Sequence, residues 1–133
     1  MDLIETNRAK QLVCFFGESL TDEIVALIKP YQNLPLECDG MTRVITYLLS
    51  RAGVPHKTML GTISVKGMGE FTPHYWIELV DGSIVDYKSR MWFSDNASIP
   101  QGVFDPKGSP VSYHGRPVEM GINQFIFDVL TAR

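Results

Sequence analysis

Cys-Asp-Gly-Met-Thr-Arg-Val-Ile-Thr-Tyr-Leu-Leu-Ser-Arg-Ala-Gly-Val-Pro, residues 38–55, places Met41, Val44, Ile45, Leu48 and Leu49 on one face of a helix. Gly53 can take the left-handed conformation that ends a helix, and Pro55 cannot continue one. The spacing predicts a central buried helix over Cys38–Ala52. Upstream, Tyr31 to Pro35 reads as a loop that reorients the chain. Before it, Thr21 caps a second helix, Asp22 and Glu23 complement its dipole, and Ile24, Val25, Leu27 and Ile28 form its buried stripe up to Pro30. The opening stretch, Leu3 to Phe16, reads as a further helix ending at Gly17, with Cys14 in the core.

Downstream the period changes. Thr58 to Lys66, Phe71 to Val80 and Ser83 to Lys88 are rich in β-branched and aromatic residues, and Gly67, Gly69 and Asp81-Gly82 separate them. They predict an antiparallel meander. Ser89 to Gly108 holds Pro100, Gly102, Pro106 and Gly108 and reads as a long functional loop. Val111 to Glu119 reads as one more hairpin. Asn123 to Leu130 reads as a short terminal helix with Phe125, Ile126 and Leu130 inward. A helical first part and a strand-rich second part give an α+β fold, expected as one domain over residues 1–133.

The 133 residues are 44% hydrophobic, enough for one core without disulfide staples. The net charge is -3, and 12 basic and 15 acidic residues are spread without long runs, which disfavours binding to nucleic acid or anionic membranes. No apolar stretch reaches the ~20 residues of a membrane helix, and Met-Asp-Leu-Ile-Glu lacks the character of a secretory signal, so a cytoplasmic chain is expected. Both cysteines, Cys14 and Cys38, then read as free thiols. They and His56, His74 and His114 show none of the paired spacings of a structural zinc site, and neither metal nor cofactor is expected.

Cys38 stands where loop becomes helix, at the positive end of the helix dipole, a position that favours thiolate over thiol. A thiolate is a nucleophile, and the same amides can hold the oxyanion of a tetrahedral intermediate. His74 opens the strand His-Tyr-Trp-Ile-Glu-Leu-Val directly after Pro73, and Asp86 lies in the apolar run Ile-Val-Asp-Tyr of the next strand. A carboxylate buried there needs a partner, and an adjacent imidazole would satisfy it while being fixed in a useful tautomer. The turn decides whether they can meet. A two-residue Asp81-Gly82 turn would put His74 and Asp86 on opposite faces. A three-residue connection, Val80 to Gly82, would set Asp86 across from Trp76 and diagonal to His74. Glu78 shares the His74 face but lies about 13 Å along the strand. Trp76 reads as core and Trp92 as a cleft-lining residue, while His56 and His114 read as solvent-facing.

The phrases Cys-Asp-Gly-Met through Ala-Gly-Val-Pro, and His-Tyr-Trp-Ile-Glu through Ile-Val-Asp-Tyr, resemble the transglutaminase-like branch of the papain-like cysteine peptidase superfamily. There a nucleophilic Cys begins a helix that closes on a Leu-Leu-x-x-x-Gly-Ile/Val-Pro phrase. The His opens a His-x-Trp-x-Glu strand, and an Asp follows on the next one. The likeness spans Cys38 to Tyr87 and is strongest to small bacterial peptidases, including those that cleave lasso-peptide leaders. It implies Cys38 as nucleophile, His74 as general base and acid, Asp86 as orienting carboxylate, and a peptide or protein substrate. It also implies that Gln32, six residues before Cys38, donates to the oxyanion, and Asp39, Trp76 and Trp92 join it as candidate oxyanion or substrate contacts. Transglutaminases proper often carry Trp beside the nucleophile, where this chain has Asp39 and Gly40, which argues against protein cross-linking. The Cys-Asp-Gly-Met phrase is similar as well to the Asp-Cys-Ser-Gly start of NlpC-type cell-wall amidohydrolases, whose third member would be His114 or Asp86. A further alternative keeps the fold without the chemistry, as a binding or assembly module in which Cys38 is structural.

Overall fold

Helix α1, Gly17–Ile28, opens the part of the chain that the computed structural model describes, residues 17–132. The expected helix over Leu3–Phe16 and the core position of Cys14 lie outside these residues. Helix α1 is helical from Gly17, a turn before Thr21, its expected beginning. The reason is burial: Leu20, Ile24 and Ile28 repeat every fourth residue and are all buried, so the extra turn adds Leu20 to the stripe. Val25, one position around the helix from Ile24, is 37% exposed and not part of that stripe. A 3-10 turn, Lys29–Tyr31, follows with Pro30 in its first turn, where no amide hydrogen is needed.

Helix α2, Cys38–Arg51, buries Met41, Val44, Ile45, Leu48 and Leu49 as the spacing predicts. Its end is a Schellman arrangement. Gly53 takes φ +74 and its amide reaches Ser50 O at 3.2 Å, while the Val54 amide reaches Leu49 O at 2.9 Å.

Five antiparallel strands follow: β1 His56–Val65, β2 Gly69–Leu79, β3 Ile84–Asp86, β4 Gly102–Phe104 and β5 Val111–Pro117, in the spatial order β4-β3-β2-β1-β5. The first three form the expected meander. Strand β4 was hidden inside the expected long loop, because its three residues carry Gly102 and are flanked by Pro100 and Pro106; it pairs Asp86 with Gly102 at the sheet edge. In place of a hairpin over Val111–Glu119 there is the single strand β5, paired to β1 from Val65↔Val111 to Met59↔Pro117. Gly115 serves close approach, not chain reversal. A Cβ there would lie 2.4 Å from Leu60 O and 2.6 Å from Trp76 Cη2.

The terminal helix α3, Gln124–Thr131, is capped by Asn123, whose side chain accepts from the Ile126 amide at 2.9 Å. Phe127 is its buried residue, set against Tyr31 and stacked on Tyr47 with centroids 4.5 Å apart. Phe125, expected inward, is 74% exposed. Two residues from Phe127 is about 200° of helical rotation, so the two rings cannot share a face.

The sheet separates two cores. Ile77 and Val85 face the helices and join Ile24, Val44, Leu49 and Phe127. Trp76 and Ile84 point the other way, where Met59 joins them, and Phe93 and Ile99 from the segment after β3 pack beside Ile63, Val65 and Val111. Among the described residues no helix is long and apolar enough to cross a membrane.

Candidate active site

Leu79 and Ser83 pair across the turn between β2 and β3, which leaves three residues, Val80 to Gly82, in the loop. Leu79 N reaches Ser83 O at 2.9 Å, and Gly82 closes the turn with φ +88. The register is therefore Glu78↔Ile84 and Ile77↔Val85, which carries Asp86 onto the face of Trp76 and His74. This is the odd connection that the site requires. Because β3 pairs with β2 only at these positions, β2 from Gly69 to Trp76 has no described strand on that side.

His74 is fully buried and Asp86 is 3% exposed. Their side chains meet at 2.7 Å, Nε2 to Oδ2. Tyr113, from β5, donates its hydroxyl to the same Oδ2 at 2.9 Å, and the Lys88 amide donates to Oδ1 at 2.9 Å. A buried carboxylate thus has three donors and needs no cation. Burial pushes the Tyr113 phenol well up, and the Asp86 charge and hydrogen bond push it further, so the hydroxyl remains a donor. Sequence reasoning did not find Tyr113. Its approach depends on the β1–β5 register, and that pairing has no signal in the chain.

Cys38 is the first residue of α2 and 6% exposed. Glu37, at the N-cap, makes no capping hydrogen bond with its side chain, so that side chain takes up none of the first-turn amides at the sulfur. The thiol lies within interaction range of His74. Burial lowers the imidazole's proton affinity, while the Asp86 carboxylate and the nearby Cys38 sulfur raise it.

The second ring nitrogen shows what the imidazole is doing. Trp92 donates its indole N–H to His74 Nδ1 at 3.0 Å. An indole nitrogen can only donate, so Nδ1 is an acceptor and the ring proton sits on Nε2, toward Asp86. Cys38 therefore influences the ring without holding Nδ1, and Trp92 holds it. Trp92 is half-buried and stacks on Phe71, itself 40% exposed, at 4.2 Å and 11°.

The remaining candidates differ in their surroundings. Trp76 is core, 1% exposed, with its ring 6.1 Å from that of His74 and its Nε1 buried without a hydrogen-bond partner among the described residues. Gln32 is half-buried at the end of the 3-10 turn, and Asp39 is exposed in the first turn of α2. Glu78 sits opposite Ile84 and Lys57, away from His74. His114 is exposed as expected. His56 is not solvent-facing: it is half-buried, with Nδ1 2.8 Å from Val54 O and Nε2 3.3 Å from the Thr46 hydroxyl. No protein-family model, curated protein or solved structure matches the chain.

Proposed function

We propose that this protein is a cysteine-dependent peptidase or amide acyltransferase on a papain-like, transglutaminase-like core, acting on a peptide or protein substrate. The observation that carries the reading is His74, fully buried, bonded through Nε2 to Asp86 and close to a cysteine at a helix start. A structural histidine would not need this company, whereas a general base does.

In the reaction, Nδ1 of His74 takes the proton of the Cys38 thiol, and the sulfur attacks the amide carbonyl carbon. The first-turn amides of α2, with Gln32 as a candidate side-chain donor, hold the oxyanion. The imidazolium then gives its proton to the leaving amine as the C–N bond breaks, and a thioester remains on Cys38. Water attacks it for hydrolysis, or a second amine for transfer. Asp86 keeps the Nε2 proton directed at itself throughout. Phe71 and Trp92 form the aromatic wall that a substrate meets.

The rival reading, a binding module on the same fold, draws support from how closed the site is, with Cys38 6% exposed and His74 fully buried. Acylation separates the two. After exposure to p-nitrophenyl acetate, peptide mapping should find a hydroxylamine-labile acetyl group on Cys38, absent from Cys38→Ser and formed about 100-fold more slowly in His74→Ala. Wild-type protein that takes up no acyl group, or a His74→Ala variant that acylates equally fast, contradicts the enzyme reading.

A further inference from the structure

We propose that Trp92 is a positioning residue that latches the site: its indole N–H occupies His74 Nδ1 and leaves the proton on Cys38 until the indole moves away. This rests on the reading of Cys38 and His74 as the reacting pair. The argument is one of valence. Nε2 is committed to Asp86 at 2.7 Å, so Nδ1 is the ring's single remaining lone pair. Trp92 holds that lone pair at 3.0 Å. Were Nδ1 to take the thiol proton, two N–H groups would point at one another at hydrogen-bond distance. The indole contact and the thiolate–imidazolium pair therefore exclude each other.

The surroundings suit a latch. The groups facing His74 are Cys38 from α2, Asp86 from β3, Tyr113 from β5 and Trp92 from the segment after β3, and of these Trp92 is the one whose removal frees Nδ1 without disturbing Asp86. Trp92 lies at the solvent boundary, half-buried against the exposed ring of Phe71. Two residues on, Ser94 and Asp95 take φ +55 and +53, left-handed conformations that side chains rarely adopt and that a shift of this segment could relieve.

Iodoacetamide alkylation of Cys38, followed across pH by mass spectrometry, tests this in wild type, Trp92→Phe, His74→Ala and the double variant. Phenylalanine can keep the stack on Phe71 while removing the N–H. Trp92→Phe should alkylate about fivefold faster near neutral pH, the effect of losing one neutral hydrogen bond, with its profile moved to lower pH. The gain should vanish when His74 is also replaced. An unchanged or slower rate in Trp92→Phe overturns the latch, as does a gain that survives in the double variant, since that gain would come from loosened packing. If His74→Ala changes nothing in either background, the reacting pair and the latch fall together. If His74→Ala slows wild type and Trp92→Phe brings no gain, the latch alone falls.

Discussion

Asp86 is the residue on which the site's order depends. Its carboxylate fixes the imidazole through Oδ2 and is itself held by Tyr113 and the Lys88 amide. Tyr113→Phe removes a hydrogen bond to a charged, buried group and should cost about 2 kcal/mol, read as a lower urea midpoint at unchanged slope. Cys38, His74 and Asp86 could be read from the chain because each carries a local signal: a helix start, a strand opening after proline, and a carboxylate in an apolar run. Tyr113 and the Trp92 contact could not. One depends on the pairing of β5 with β1 and the other on how the segment after β3 folds back, and neither is set by neighbours in sequence.

At the scale of the element, the three-residue turn and the glycine contact of β5 do the positioning. The turn was open to two readings in sequence, and the Leu79 N to Ser83 O bond with the Ile77↔Val85 register decides for the one that brings His74 and Asp86 together. Gly115→Ala should destabilise the fold by about 3 kcal/mol, because the added methyl meets backbone at Leu60 and the rigid indole of Trp76, neither of which can yield cheaply. Thermal unfolding followed by circular dichroism would measure it. Asn123→Ala, which removes the cap of α3, should cost about 1 kcal/mol in the same assay. The strongly periodic helix α2 was legible nearly to the residue. The short strand β4 and the outward turn of Phe125 were not, since tertiary contacts choose them over local propensity.

Across the whole molecule His74 joins helix α2, strand β3 and the segment after β3: Cys38, Asp86 and Trp92 all bear on its ring, and burial opposes the charging that Asp86 and Cys38 favour. The account's central claim is that Cys38 and His74 are coupled, and nitrogen-15 NMR of the His74 ring across pH measures that directly. The account predicts a midpoint that falls in Cys38→Ser, since the sulfur raises the ring's proton affinity. A midpoint that Cys38→Ser leaves unmoved would contradict it.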